Sequence, residues 1–332
     1  MPETTPKPAH PAGSASTTVA AKPAFHFTRE MMRGPIYQKY QKAINAVWNP
    51  HDLDYAQDAA DWKRITEQQR RGLLGITTRF FAGEQAVTDE LLPMLAAAHA
   101  LQRFDWVMYL STFLTEEAKH ADFFALWHER VVGILEADEI APYFLTRSRT
   151  IDPSGRFEIK EVLHEALPAY GRDLLEAVRT GDRGTIEAGF VRFASLYSGY
   201  AEGVLTMPSY EITIDTVDLW HAFPALKQGF RKILADEGRH ITFGTMAIRM
   251  LIEENPQYEA IVHEVFDEFR GNIVGLVEYQ KAIPGLDVSK YQLQKVRHYR
   301  NRCREMGIAP DETLIEQILD PTIDFIVGVE AG

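Results

Sequence analysis

Three Glu-x-x-His motifs occur in the sequence, at the spacing that lets one helix offer two metal ligands. They pair Glu117 with His120, Glu161 with His164, and Glu237 with His240. Residues i and i+3 lie about one turn apart on the same helical face, so a carboxylate and an imidazole can reach one ion. Oxygen and imidazole ligands suit iron and manganese alike. Each motif is therefore a candidate half of a metal site.

The helical faces that the motifs occupy separate two of them from the third. At 100° per residue, Glu117 and Glu237 fall on apolar faces together with their histidines, and the neighbouring Glu116 falls on the polar side. A buried carboxylate costs several kcal/mol unless it is paired or bound to a metal. A metal is therefore the predicted partner of these two motifs.

The motif of Glu161 and His164 faces the other way. The apolar face of its segment is formed by isoleucine, valine, leucine and alanine residues, and both polar side chains point away from it. We interpret this pair as a solvated surface pair.

Two lone glutamates complete a set of six ligands. Glu84 lies in the middle of an apolar face, 33 positions before Glu117, and Glu202 lies in an almost wholly apolar segment, 35 positions before Glu237. Dinuclear sites in helical bundles use one carboxylate from each of two helices and Glu-x-x-His from each of two others. The six predicted metal ligands are Glu84, Glu117, His120, Glu202, Glu237 and His240. Buried salt bridges are the alternative interpretation, but these faces carry few basic partners for four carboxylates.

The elements that must position these ligands are helices, because strand-like alternation is scarce after Arg29. We predict an all-α domain over residues 26–306, preceded by a disordered tail (residues 1–25) and followed by a segment, residues 307–332, whose structure the pattern does not indicate. A transit segment is the alternative interpretation of the tail. The predicted helices cover residues 29–47, 60–97, 102–135, 157–178, 185–206, 217–253, 258–282 and 289–306, with a connection at residues 137–155.

Bulk properties exclude several classes of protein. The formal net charge of −12 argues against a nucleic-acid partner. A single cysteine, Cys303, excludes disulfides within the chain and iron–sulfur clusters. The sequence contains no apolar run of about 18 or more residues, so no transmembrane helix is predicted. We expect a cytoplasmic protein.

Four segments resemble one known family, the R2-like ligand-binding oxidases, which are relatives of the small (R2) subunit of class I ribonucleotide reductase. They are residues 83–87 (GEQAV), 116–120 (EEAKH), 197–202 (YSGYAE) and 236–240 (DEGRH). The resemblance covers about residues 29–253. It implies a ferritin-like helical bundle, with additional helices around a four-helix core that holds the dinuclear metal site.

The chain departs from true R2 subunits at the radical tyrosine. Phe124 occupies the position where R2 usually carries that tyrosine, four residues after the first ligand histidine, and the neighbouring Phe123 also lacks a hydroxyl. The last tyrosine is Tyr299, so the C-terminal tail also lacks the tyrosine that R2 uses to pass a radical outward. A phenylalanine at the first position also occurs in manganese–iron R2 proteins, so the missing tail tyrosine is the stronger argument against a reductase subunit.

The resemblance implies a cofactor of one manganese and one iron, with two irons as the alternative. Manganese would bind Glu84, Glu117 and His120, iron would bind the other three ligands, and Glu117 would be shared. The family also joins a valine and a tyrosine by an ether bond, here Val87 and Tyr197. Tyr197 lies five residues before Glu202, about 140° away on an ideal α-helix, so a π-bulge would help both to reach the metals. Without the resemblance, both residues would fit ordinary core packing.

Further expectations also rest on the resemblance. Asp236 would orient a ligand histidine, Trp48 would pack beside it, and Tyr210 would approach the site. A long-chain fatty acid would bind in an apolar tunnel, for which the candidate lining residues are Phe80, Phe113 and Met207. The protein would be a homodimer.

These expectations lead to a hypothesis about the reaction. The metal pair would reduce O₂, and the resulting oxidant would remove two electrons from Val87 and Tyr197 or from a bound lipid. Three alternatives remain open: an R2-type radical subunit, an acyl desaturase-like enzyme and a ferritin-like storage protein.

Overall fold

The computed structural model describes residue 25 and residues 27–145, 161–274 and 289–319. The ordered elements in these ranges are all helical, and no strand occurs in them. The predicted all-α fold class is therefore confirmed. The α-helices are α1 (Arg29–Arg33), α2 (Pro35–Asn45), α3 (Ala56–Arg64), α4 (Glu67–Glu90), α5 (Leu92–Ala100), α6 (Phe104–Trp127), α7 (Ala137–Leu145), α8 (Leu167–Thr180), α9 (Arg183–Ala194), α10 (Met207–Leu219), α11 (Pro224–Glu254), α12 (Tyr258–Glu268), α13 (Arg270–Val274), α14 (Ser289–Met306) and α15 (Glu312–Leu319).

Three π-helices interrupt this α-helical framework. They cover His128–Val132, Glu161–Ala166 and Ser195–Thr206. The third is unusual in length, because π-helical hydrogen bonding mostly appears as single-turn bulges. It joins α9 to α10 and is buried over residues 195–204.

Two packed pairs of helices form the centre of the bundle. α4 packs along α6, α11 packs along the Ser195–Thr206 π-helix, and α11 also contacts α6 and so joins the pairs. Each of these four elements carries one of the four predicted ligand glutamates. This is the four-helix core predicted for a dinuclear site.

Several predicted helices are divided in the structure. The predicted helix over residues 60–97 is wrong as one element, because α4 begins at a capping box in which Thr66 accepts from the Gln69 amide and Gln69 accepts from the Thr66 amide. Pro93 lies in the first turn of α5, where a proline is favoured. Similarly, Pro35 begins α2 just after α1, which divides the helix predicted over residues 29–47.

The helix predicted to begin at residue 217 in fact begins at Pro224, after a turn in which Phe223 has a φ of 57°. Two aspartates of α3 accept hydrogen bonds from the backbone amides at this end of α11. Asp61 accepts from the Phe223 amide at 2.8 Å, and Asp58 accepts from the amides of Ala225 and Leu226 at 2.9 and 2.8 Å. These amides lie at or just before the first turn of α11, where backbone donors lack partners within the helix. The buried acids of α3 therefore fix where α11 begins.

Two other predictions concern segments that the structure describes only in part. Residues 137–145 form a helix, so the prediction of a connection is wrong there, and residues 146–155 lie outside the described residues. The ends of the predicted helices at residues 157–160 and 275–282 also lie outside them. The C-terminal helix α15 packs on α14 and buries Leu314, Ile315 and Ile318.

Gly244 allows α11 to approach the long π-helix closely. A Cβ atom built there would lie 2.2 Å from Cβ of Ser198. Among the described residues, and apart from its own stretch of helix backbone, Gly238 on the same helix has no atom within 4 Å of the corresponding position. The two glycines therefore differ in packing although they share one helix.

We expect Gly244→Ala to destabilise the protein by about 1–3 kcal/mol, because the added methyl group forces α11 and the π-helix apart. The matched change Gly238→Ala should stabilise it by up to about 1 kcal/mol, since alanine is the better helix former. Urea denaturation of both variants measures this difference. Equal effects of the two changes would contradict the close approach.

Candidate metal centre

All six predicted ligands lie together in the buried centre of the bundle. Each side chain offers one oxygen or nitrogen atom as a ligand, and these atoms form two groups. Within each group all the ligand atoms lie within 4.8 Å of one another. One group contains Glu84 and His120, the other contains Glu202 and His240, and Glu117 and Glu237 belong to both. Two neighbouring ions that share carboxylates would fit this arrangement.

The two ligand histidines turn the same ring atom toward the carboxylates. Nδ1 of His120 lies 3.4 Å from Glu84, 3.5 Å from Glu117 and 3.3 Å from Glu237. Nδ1 of His240 lies 2.8 Å from Glu117 and 3.5 Å from Glu237. Each Nδ1 is thus placed to ligate an ion held by these carboxylates.

Several buried polar atoms in the cluster lack hydrogen-bond partners among the described residues. Buried polar groups are nearly always satisfied, so a concentration of exceptions requires an explanation. Two divalent cations would supply the missing partners, and their four positive charges would balance four carboxylates beside neutral imidazoles. The residues therefore fit a dinuclear cofactor. The unsatisfied atoms are Glu117 Oε2, Glu202 Oε2, Glu237 Oε2, His120 Nδ1 and His240 Nδ1.

Burial and neighbouring charges shift the pKa values of several side chains in the cluster. Loss of solvation raises the pKa of Glu84 to about 8 and places that of Glu202 well above its ordinary range. Burial lowers the pKa of both ligand histidines, but the surrounding carboxylates outweigh it and raise the pKa values of His120 and His240. The metal-free cluster therefore holds protons that bound cations would displace.

Asp236 connects one ligand histidine to a tryptophan. Nε2 of His120 donates to Asp236 Oδ2 at 3.1 Å, and the Trp48 indole donates to the same oxygen at 2.8 Å. The Trp48 ring also stacks beside the His120 ring, with centroids 6.4 Å apart. A carboxylate on Nε2 orients the ring and leaves Nδ1 for the metal.

Glu116 plays the corresponding part for the other histidine, and the sequence interpretation missed it. His240 Nε2 donates to Glu116 Oε2 at 2.8 Å, and Glu116 is only 3% exposed although it falls on the polar face of its own helix. A signal was present, because an acid directly precedes the ligand glutamate in both motifs. Glu116 precedes Glu117 as Asp236 precedes Glu237.

The long π-helix brings Tyr197 to the ligands. Its hydroxyl donates to Glu117 Oε1 at 3.1 Å. Hydrogen bonds from residue i to i+5 place residues five apart on nearly the same face, so Tyr197 and Glu202 both turn inward. The π-helical distortion that the offset between these two residues indicated is present.

Tyr210 approaches the cluster from α10. Its hydroxyl lies 3.3 Å from Glu84 Oε1 and 3.4 Å from Glu237 Oε1. Its ring packs on Phe80 with centroids 4.6 Å apart. Tyr197 and Tyr210 thus contact different carboxylates of the same cluster.

The apolar candidates lie in two clusters. Phe113 is buried and stacks on His240, with centroids 3.7 Å apart, in the same core cluster as Val87 and Tyr197. Phe80 and Met207 are half-buried and pack against a second cluster, which contains Tyr210.

Two further residues singled out in the sequence are Phe124 and His164. Phe124, at the position of the R2 radical tyrosine, is fully buried and stacks on Phe80 at 5.8 Å. His164 is half-buried and belongs to neither metal-binding group within the described residues, and the Glu161 side chain lies outside what is described. Among the described helices, none is both long and apolar enough to cross a membrane.

Several solved structures of known proteins are similar to this chain. The chain is similar to an R2-like ligand-binding oxidase with a valine-to-leucine change and an anaerobically reconstituted Mn/Fe cofactor, at 27% identity and a TM-score of 0.70, covering 84% of this chain and 94% of that one. A glycine-to-phenylalanine variant matches at 27% identity and a TM-score of 0.68, covering 84% and 95%. A tyrosine-to-phenylalanine variant, aerobically reconstituted, matches at 26% identity and a TM-score of 0.69, covering 84% and 94%.

No family model matches the sequence. The solved structures nevertheless cover 84% of this chain, and the four elements that carry the predicted ligand glutamates are all present in it. The ferritin-like fold and the resemblance to the R2-like ligand-binding oxidases, predicted from four short motifs, are therefore confirmed.

Proposed function

We propose that this protein is an oxidase that activates O₂ at a cofactor of one manganese and one iron, with two irons as the alternative. The observation that carries the proposal is the buried cluster of four glutamates and two histidines, with the Tyr197 hydroxyl directly on Glu117. The similar solved structures contain a Mn/Fe cofactor. Phe124 lacks the hydroxyl of the usual R2 radical tyrosine, but manganese–iron R2 proteins also carry a phenylalanine there, so an R2-type radical subunit is the alternative function.

Each metal position has its own set of residues in this proposal. By the resemblance, manganese would be held by Glu84, Glu117 and His120, iron would be held by Glu202 and His240, and Glu117 would be shared. Glu237 contacts both histidines and would ligate the iron. When bound, the metal pair supplies the electrons and the binding site for O₂ reduction. The protein holds the imidazoles through Asp236 and Glu116 and keeps the cluster away from bulk water.

Val87 and Tyr197 are the proposed site of oxidation. Both are buried in one core cluster, and the Tyr197 oxygen is already at a ligand carboxylate. An ether bond would form between that oxygen and a Val87 side-chain carbon, with loss of one O–H and one C–H bond. The two electrons released, together with two from the Mn(II)/Fe(II) pair, would reduce O₂ to two molecules of water, which would take up the two released protons and two more from solvent. The glycine and the valine varied in the solved relatives lie four positions apart, as Gly83 and Val87 do here.

A long-chain fatty acid is the proposed ligand. The relatives are named ligand-binding oxidases, and the family resemblance implies a lipid whose carboxylate meets the metals. Phe113 and Phe80 offer aromatic surface on two sides of the cluster, and Met207 adds a flexible apolar side chain. We also propose a homodimer, on the resemblance alone, and a cytoplasmic protein that does not bind nucleic acid, on its single cysteine and its formal net charge of −12.

The proposed oxidation has a direct chemical signature. Metal-free protein is loaded with Mn(II) and Fe(II) without oxygen, exposed to air and digested, and the peptides that carry Val87 and Tyr197 are analysed by mass spectrometry. We expect one joined peptide pair, lighter by two hydrogens, that is absent from the unexposed sample.

The Tyr197→Phe variant is the matched control, because it keeps the ring but removes the oxygen that forms the bond. Two separate, unmodified peptides from wild-type protein that holds both metals would overturn the cross-link.

A further inference from the structure

Four charged side chains cover the outer side of the two ligand histidines. Two are the acids that precede the ligand glutamates, Glu116 and Asp236. The other two are the bases that precede the ligand histidines, Lys119 and Arg239. The exposed fractions of their side chains are 4% and 2% for the acids and 11% and 15% for the bases. The four form a nearly buried layer between the metal cluster and the surface.

The acids of this layer act crosswise between two helices. Asp236 belongs to α11 and holds His120 of α6 at 3.1 Å. Glu116 belongs to α6 and holds His240 of α11 at 2.8 Å. Each metal position therefore depends on an acid from the opposite helix for the orientation of its imidazole.

The two bases contact different numbers of acids. Lys119 Nζ lies 2.7 Å from Asp236 Oδ2 and so contacts one acid. The Arg239 guanidinium contacts Asp236 Oδ1 at 2.5 Å and also contacts Glu116. An arginine suits this position because its planar fork offers several donors in a fixed geometry. Arg239 is thus the side chain through which the two acids, and hence the two histidines, are joined.

The two bases of the layer balance the charge of its two acids. Two acids and two bases have no net charge, so the layer adds nothing to the charge of the metal cluster beneath it. Removing Arg239 would leave an uncompensated, nearly buried negative charge beside four carboxylates. Such a group costs several kcal/mol and would move or attract another cation.

We propose that Arg239 is a positioning residue for both metal positions at once, acting through Asp236 on His120 and through Glu116 on His240. This inference rests on the proposed dinuclear cofactor. It predicts different effects on metal binding for different residues of the layer. Loss of Arg239 weakens both positions, loss of the Asp236 charge weakens the His120 position, and loss of the Glu116 charge weakens the His240 position.

Mn(II) titration of the metal-free protein without oxygen, followed by electron paramagnetic resonance, tests this assignment. Changes to such outer partners typically lower metal affinity by about 10–100-fold. We expect Arg239→Met to lower the Mn(II) affinity of both binding steps by about tenfold or more. Arg239→Lys should restore part of the lost affinity. Asp236→Asn and Glu116→Gln should each leave one tight ion, visible as an isolated Mn(II) signal in place of the coupled pair.

Arg183→Met is the matched control. Arg183 also spans two carboxylates, Glu187 at 2.8 Å and Glu254 at 3.7 Å, and neither belongs to the metal centre. Its loss should leave both Mn(II) affinities unchanged. A folded Arg239→Met protein that binds two ions like wild type, or loses only one, would overturn the inference. Wild-type protein that binds no ion pair would instead overturn the proposed function.

Discussion

Replacing Glu117 with alanine is expected to abolish the tight binding of both metal ions, whereas replacing Glu84 should remove only the ion beside His120. Glu117 contacts both histidines, with Oε1 2.8 Å from His240 Nδ1 and Oε2 3.5 Å from His120 Nδ1. Glu84 belongs to one metal-binding group only. The loss of a shared ligand affects two coordination spheres, and the loss of a terminal ligand affects one.

Metal content after anaerobic loading and desalting measures this prediction. We expect about two ions per wild-type chain, about one for Glu84→Ala and close to none for Glu117→Ala. Glu187→Gln is the control, because Glu187 is a buried glutamate that contacts Arg183 and Tyr258 outside the metal centre. One ion retained by Glu117→Ala would show that Glu117 does not bridge.

The metal-free protein is expected to lose stability as the pH rises from about 4.5 to about 8. Burial raises the pKa of Glu84 from 4.5 to about 8, so in this range the folded state binds a proton that the unfolded state releases. Stability rises with pH only where the unfolded state binds more protons, so here it must fall, by about 1.4 kcal/mol per pH unit for one proton. The raised pKa values of His120 and His240 add a fall of the same sign above about pH 6.5.

The acids whose pKa values are lowered oppose this fall only at the acid end of the window, where the unfolded carboxylates still bind protons. Glu117 and Asp236 have pKa values well below the ordinary range, so they are ionised in both states above about pH 5. With metals bound the dependence should reverse, because cations displace the protons and bind more tightly as the pH rises. Urea denaturation between pH 5 and 8, with and without metals, measures both slopes.

Glu84→Gln provides the control for this pH dependence, since glutamine cannot titrate. The metal-free variant should show a shallower fall than wild type over the same range. Metal-free wild-type protein whose stability is flat or rises with pH would contradict the burial of protonated carboxylates in this cluster.

The cluster of six metal-binding candidates could be predicted from the sequence because their pattern is local and their burial is physically costly. Carboxylates on apolar helical faces need a partner, and the i to i+3 spacing shows which histidine each can share. The resemblance implies that Tyr197 reaches the metals together with Glu202, and helical geometry places the two about 140° apart, so a π-bulge is expected where the structure contains a π-helix. Within one helix, the sequence carries enough geometry to decide which side chains meet.

The features that the sequence interpretation missed depend on contacts between elements. Glu116 falls on the polar side of an isolated α6, but α11 packs there and buries it against His240. Asp58 and Asp61 similarly appear as ordinary surface acids of a short helix, yet they bind the amino end of α11 more than 160 residues later in the chain. Helical periodicity describes one element and does not show which neighbour covers it.

The most direct test of the dinuclear centre is a crystal structure of the anaerobically loaded protein with anomalous data collected at the manganese and iron absorption edges. We predict two ions between α4, α6, the Ser195–Thr206 π-helix and α11, with Glu117 between them, Nδ1 of His120 on the manganese and Nδ1 of His240 on the iron. A single ion, or metal bound outside these six side chains, would contradict the account.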